Sequence, residues 1–243
     1  MIAATVASAS TAASGAAEAP APAAARRLRR RRRRAARLFR FDRSLGARFV
    51  AGADEAGRGS LAGPLVAAAV LIDYEGLGLR DRRSLSDLDD SKVRTPEERE
   101  QLYPLVIRAA TRVAVTVRCV RGIDARGLHV TNLAALGRSL ERVAVPGAVC
   151  LVDGFSVPSC SVDHRAVIDG DATSAAIAAA SVVAKVTRDR YMCSVDSAYP
   201  QFGFAGNVGY STPEHRAAIM EHGPSPLHRL SFQSIAYSQL ELT

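Results

Sequence analysis

Residues 61–72 form the longest unbroken apolar run in the chain, 12 residues that include Gly63 and Pro64. A membrane-spanning helix needs about 20 such residues, so this run must be buried inside protein. Its larger part, PLVAAAVLID (64–73), opens on proline and shows no polar alternation, which suits a strand covered on both faces. Such a strand needs a layer of other elements on each side.

The rest of the chain supplies them. RFVAGAD (48–54) reads as a strand that the glycines of EAGRGSLAG cannot continue. Thr95-Pro96-Glu97-Glu98 predicts a helix start, with a capping threonine, proline first and acids in the first turn, running to about Ala110. TRVAVTVRCV (111–120) alternates valines with polar residues, a strand with one wet face. A helix is expected over 122–144, short strands over 148–154 and 161–170, a long helix over 174–197 and a short one over 213–222. The expected class is α/β, a mixed five-stranded sheet flanked by helices, with a small C-terminal helical extension.

Charge divides the chain differently. Nine arginines in residues 26–37, less the single acid Glu18, give the first 37 residues a charge of +8. That is the whole net charge, because the other 206 residues balance 23 basic against 23 acidic side chains. A nucleic-acid site on the body must therefore come from local clustering. Residues 1–37 read as a disordered extension, residues 38–200 as the main domain and residues 201–243 as a small helical extension too short to stand alone. The tail's arginines follow its apolar residues, the reverse of a secretory signal, so we expect a cytoplasmic protein whose four cysteines stay reduced.

The acids carry the chemical signal. Asp54-Glu55, Asp153 and the pair Asp169 and Asp171 all fall where strands are expected to end. Strand ends of an open sheet converge on a crevice, where carboxylates repel one another unless a cation lies between them. Oxygen donors without neighbouring Cys or His suit Mg²⁺ or Mn²⁺, and two such ions can clamp a phosphodiester. Taken singly, each Asp-Gly is also an ordinary turn former. Asp54 and Glu55 would face opposite sides of a regular strand, and the nearby Gly52, Gly57 and Gly59 make a departure from that geometry cheap. Only two lysines, Lys92 and Lys185, accompany 30 arginines, and Lys185 stands four residues before Asp189.

These residues resemble a known family. DEAGRG (54–59) with LAGP (61–64), DSK (90–92), VDG (152–154), GD (170–171), AAASVVAKVTRD (178–189), GYST (209–212) and HRLSF (228–232) run in the order found in bacterial ribonuclease HII, the type 2 ribonuclease H. The resemblance spans about residues 48–233. It implies a ribonuclease H-like fold and an endonuclease that cleaves the RNA strand of RNA–DNA hybrids. It also implies incision 5′ to single ribonucleotides in duplex DNA, leaving 5′-phosphates, as in ribonucleotide excision repair. By the same resemblance Asp54, Glu55, Asp153 and Asp171 would be catalytic and hold Mn²⁺ or Mg²⁺. Gly57, Arg58, Gly59, Ser91, Lys92, Lys185 and Tyr210 would bind substrate, with Tyr210 packing on the ribose whose 2′-hydroxyl is sensed. A monomer acting on these duplexes, with no membrane partner, is expected.

The sequence departs from the family pattern at Ser60, where proline is common, and at Val208, where many members have lysine. Asp169, two residues before Asp171, could share its role. Two rival readings remain at this level: another ribonuclease H-like nuclease, and a non-catalytic nucleic-acid-binding module using the arginine tail.

Overall fold

A computed structural model describes residues 22–88 and 94–232. Its centre is one mixed sheet of five strands, β1 (Phe49–Ala56), β2 (Leu65–Asp73), β3 (Arg112–Arg118), β4 (Val149–Asp153) and β5 (Arg165–Val167). The strand order is β3-β2-β1-β4-β5, with β2 antiparallel to both β1 and β3, and β4 parallel to both β1 and β5.

β2 is buried along eight of its nine residues, as its apolar run requires. Its side chains alternate between two cores. Val66, Ala68, Val70 and Ile72 join the core under helix α6 (Ala175–Val195), while Ala67, Ala69 and Leu71 join the core under helix α5 (Leu128–Val143). Close approach of α6 depends on Gly52, where an added Cβ would lie 2.2 Å from the Ile177 amide nitrogen. The alanines 175, 176 and 178–180 present equally small side chains to the sheet.

Between β2 and β3 lie the short helix α2 (Leu79–Ser84) and the helix α3 (Pro96–Ala109), which starts on the expected capping box between Thr95 and Glu98. The helix expected over 122–144 is instead two, α4 (Val120–Arg126) and α5, because Gly127 breaks the run at φ +81°. β5 is shorter than expected. Asp169 adopts a left-handed φ of +50°, and Gly170–Ala172 forms a single 3₁₀ turn that leads into α6.

Residues 204–232 form a third, smaller core. Helices α7 (Phe204–Asn207) and α8 (Pro213–His222), with Phe202 from the 3₁₀ turn just before them, pack Phe202, Phe204 and Ile219 against Leu61, Ala62 and Met192. This cluster closes over the loop after β1.

The N-terminal segment differs from the sequence expectation. Residues Pro22–Ser44 form a helix, α1, across much of what reads as a disordered tail. Ala35, Leu38 and Phe39 recur at helical spacing and are buried against the body, an apolar edge masked in the sequence by the surrounding arginines. Among the described residues no helix is long and apolar enough to cross a membrane.

Candidate active site

The C-terminal ends of β1 and β4 lie side by side, with Ala53 opposite Val152, and a cleft of about 230 Å³ opens there. Asp54, Glu55 and Asp153 line it, together with Gly57, Arg58 and Gly59, and with Ser181, Lys185 and Tyr210 from across the cleft. The departure from strand geometry expected at Asp54 and Glu55 does not occur: both stay in the regular ladder opposite Ala68 and Ala67. They reach the cleft from the two faces at the end of β1, and the chain turns only after them, at Gly57 with φ +89°.

Asp54 is buried, and its carboxyl is held well above the usual carboxylate range. Desolvation is the main cause, followed by the negative charges of Glu55 and Asp153. Hydrogen bonds from Ser181 and from the Glu55 amide, the latter at 2.7 Å, oppose the shift. Asp153 accepts a 2.7 Å hydrogen bond from the Gly170 amide. An added Cβ at Gly170 would stand 2.6 Å from Ile177 and 2.9 Å from that carboxylate oxygen, so the turn needs glycine there. Asp171, next in the turn, is buried, whereas Asp169 points to solvent. Among the described residues no three His, Cys, Asp or Glu side chains already enclose a point that could hold a metal ion.

On the other wall, Arg58 reaches Glu55 at 3.8 Å and lies 5.1 Å from the centre of the exposed Phe155 ring. Tyr210 packs against two cations, with Lys185 Nζ at 4.9 Å and the Arg188 guanidinium at 5.3 Å from its ring centre. Lys185 also donates to Asp189 at 2.8 Å, the spacing expected from the helix. Ser91 and Lys92 lie outside the described residues.

The sequence from residue 51 to 235 matches the family Ribonuclease HII. The chain belongs to the ribonuclease HII family. It is 48% identical over 202 residues to ribonuclease HII of Salinispora tropica, covering 82% of this chain and 73% of that one. Ribonuclease HII of Geobacillus kaustophilus is 44% identical, over 82% of this chain and 74% of its own. Among solved structures, ribonuclease H2 from Pyrococcus horikoshii OT3 superposes with a TM-score of 0.63 at 26% identity, covering 78% of this chain and 98% of that one. The ribonuclease H-like fold and endonuclease activity on RNA–DNA hybrids follow for this chain.

Sequence reasoning missed what holds the ribonuclease HII cleft in shape. Arg188 of α6 is fully buried and donates to the carbonyls of Pro64 (3.0 Å), Ala62 (2.9 Å) and Val208 (2.8 Å) and to the Ser60 hydroxyl (2.7 Å). The Ser60 hydroxyl donates in turn to the Gly57 carbonyl at 2.9 Å. The residue at the family's proline position is thus a link between the Gly57-Arg58-Gly59 loop and Arg188. An added Cβ at Gly57 would stand 2.0 Å from the Arg188 Nε, so glycine is required there on two counts. Arg229, also buried, donates to the carbonyls of Gly63 (2.9 and 3.1 Å) and Arg58 (3.2 Å), and burial pulls its pKa down to about 9.

Behind Tyr210 lies a second hidden support. The Ser225 amide donates to His228 Nδ1 at 2.9 Å, the two Nε2 atoms of His228 and His215 face each other at 3.0 Å, and His215 Nδ1 meets the Tyr210 carbonyl at 2.8 Å. These partners fix the tautomers: His228 donates from Nε2, and His215 accepts at Nε2 and donates from Nδ1. Both rings are buried, and burial lowers both pKa values, that of His228 to about 4. The signal in the sequence was two His-Arg pairs, His215-Arg216 and His228-Arg229, whose separation of 13 carries no spacing rule.

Proposed function

We propose that this cleft hydrolyses the phosphodiester 5′ to a ribonucleotide, within RNA–DNA hybrids and at single ribonucleotides in duplex DNA, using Mg²⁺ or Mn²⁺. The observation that carries the reading is one cleft lined by a crowded carboxylate set and by the Gly57-Arg58-Gly59 loop with Tyr210.

The carboxylate set suits a hard divalent cation. Asp54, Glu55 and Asp153 offer oxygen donors, and burial together with the charges of Glu55 and Asp153 raises the Asp54 pKa, both penalties that a cation would offset. Asp54, Glu55 and Asp153 would hold the ions, with Asp171 completing the set from the turn before α6. Bound there, the ions supply an activated water and charge stabilisation for the leaving 3′-oxygen.

The chain's own residues do the rest. Gly57 and Gly59 carry no side chain, so the sugar-phosphate backbone can approach the main chain closely. Arg58 stands exposed beside Glu55 and can meet a phosphate oxygen. Lys185, held by Asp189 at the cleft, adds a second cation. Tyr210 offers a flat face for the ribose, and the 2′-hydroxyl is the local mark that separates RNA from DNA. Ser91 and Lys92 are assigned to substrate on the family pattern alone.

Four free cysteines, with the Cys150 thiol pushed up to about 11 by burial, suit the reducing cytoplasm.

The test is incubation of the whole chain with a duplex carrying one ribonucleotide, beside the same duplex in all-DNA form. Each is run with Mg²⁺, with Mn²⁺ and with chelator. We expect a single cut 5′ to the ribonucleotide, leaving 3′-hydroxyl and 5′-phosphate ends, and none with chelator. Cutting of the all-DNA duplex, or cutting in chelator, would sink the reading.

A further inference from the structure

Helix α1 lies wholly outside the segment that matches the family, and its arginines have no role in the cleft. Its inner side is well anchored. Asp42 accepts from the Tyr74 hydroxyl at 2.5 Å and from the Ala176 amide at 2.9 Å, so it caps the start of α6. Arg31 pairs with Glu98 at 2.6 Å, and Arg37 donates to the Ala172 carbonyl at 3.2 Å.

Those ties place the C-terminal half of α1 against the start of α6 and, through Arg31, its N-terminal half against the start of α3. Ala172 follows Asp171 in the turn before α6.

Its outer side is a row of guanidinium groups. Arg29, Arg30, Arg32, Arg33, Arg40 and Arg43 are exposed. Like charges at i,i+4 destabilise a helix, and of these six only Arg43 meets a ring of the body, with its guanidinium 6.0 Å from the centre of Tyr74 among the described residues. Between α1 and α2 runs a groove of about 400 Å³, with Arg32, Arg40 and Arg43 on one side and Arg82 on the other. Ala36 sits between Arg32 and Arg40 on the same face and leaves the gap open, above a floor that includes Phe39. No acid is among the residues lining it. The buried Nε of Arg82 has no hydrogen-bond partner among the described residues.

Four guanidinium groups around a groove with no acid among its described lining residues suit a polyanion with repeated phosphates. An anionic membrane would need the apolar edge of α1, but Ala35, Leu38 and Phe39 are already occupied by the core. We propose that α1 and Arg82 form a second contact for the phosphate backbone of a nucleic-acid duplex, separate from the catalytic cleft. The contact reads no base and no 2′-hydroxyl, and it lengthens the footprint of the enzyme on its duplex.

The test measures binding, not cleavage, so its failure leaves the proposed reaction untouched. The whole chain and the triple variant Arg32→Gln/Arg40→Gln/Arg43→Gln are titrated with a fluorescent all-DNA duplex in chelator, between about 50 and 200 mM salt. Each lost phosphate contact removes about 0.9 from the slope of log affinity against log salt, so the variant should lose about 2–3 from its magnitude. Binding at the low-salt end should weaken by at least about tenfold. The matching triple Lys variant should keep the slope, because its charge is kept. An unchanged slope in the Gln variant overturns the proposal. So does an equal loss in the Lys variant, which would mark a structural role for the arginines. Loss of binding to phosphatidylserine vesicles with no change on the duplex would assign the helix to a membrane and overturn it too.

Discussion

On the acid side of the cleft, Asp54 is buried against two further carboxylates, and its charge is disfavoured. On the opposite side Arg188, equally buried, meets four oxygen acceptors that tie together residues 60–64 and Val208. One region stores unrelieved repulsion, and the other is saturated with hydrogen bonds. The difference separates chemistry from shape. Repulsion among carboxylates is useful where a cation must bind, whereas a loop that must present glycine backbone to a sugar needs fixed geometry and no net strain. Substitutions on the two sides should therefore fail in opposite ways, one losing activity without stability and the other losing stability and activity together.

The largest effect is expected on the acid side. Asp54→Asn should lower cleavage to below about one per cent, since a metal-supporting carboxylate is removed. Its melting temperature in metal-free buffer at neutral pH should be unchanged or higher. The sign follows from the raised pKa. A carboxyl whose folded pKa lies above its unfolded value contributes stability at low pH and loses it as pH rises through the folded value. The variant's advantage should thus shrink as pH falls toward the unfolded carboxylate pKa of about 4. A variant that still cuts well would move the reaction away from Asp54.

Arg188→Met should show the opposite pattern. It leaves three carbonyls and the Ser60 hydroxyl without their buried donor, at a cost of about 3 kcal/mol or more, and the melting temperature should fall markedly. Cleavage should fall with it. A Met variant with full stability and slow cleavage would erase the contrast and make Arg188 part of the reaction.

Legibility in the sequence followed the same division. β2, the α3 cap and α6 are local patterns, namely an apolar run, a Thr-x-x-Glu box and a stretch of small residues, and each appears where it reads. The acids were legible because they cluster where strands stop and glycines follow. The shape-holding residues were not. Arg188 reads as one more arginine in a chain of 30, and its partners lie more than 120 positions away at Pro64 and Ala62. Helix α1 was missed for a related reason: a few apolar residues anchor it, and the charge around them reads as disorder. Asp169 and Asp171 are alike in sequence, and only the left-handed turn at Asp169 sends one outward and the other inward.

Tyr210→Ala tests a smaller effect on the shape side. The ring packs on Lys185 and Arg188 and faces the cleft, so its loss should spare binding to all-DNA duplex and slow incision at a ribonucleotide by about tenfold or more. Competition between ribonucleotide and all-DNA duplexes measures it. An unchanged preference would show that the ring does not meet the sugar.

The smallest effect concerns the two histidines behind Tyr210. Their chain of hydrogen bonds is complete with both rings neutral, and it ends on the Tyr210 carbonyl. An added proton on His215 would set two N–H groups against each other at the 3.0 Å Nε2–Nε2 contact, and one on His228 would set its Nδ1–H against the Ser225 amide. His215→Asn can keep the donor at the Nδ1 position, whereas His215→Gln places its amide nearer Nε2 and loses that bond. The Gln variant should therefore cost about fivefold in kcat/KM on the ribonucleotide duplex, the size of one ordinary hydrogen bond of about 1 kcal/mol, and the Asn variant less. The pH dependence gives a second readout. A histidine whose folded pKa is depressed contributes stability above its unfolded value of about 6.5 and loses it as pH falls through the folded one, here about 4 for His228. Between those limits the melting temperature of His228→Asn should fall less steeply than that of the wild type. If the two profiles run parallel, and Gln serves at position 215 as well as Asn, the pair only fills space and does not hold Tyr210 in place.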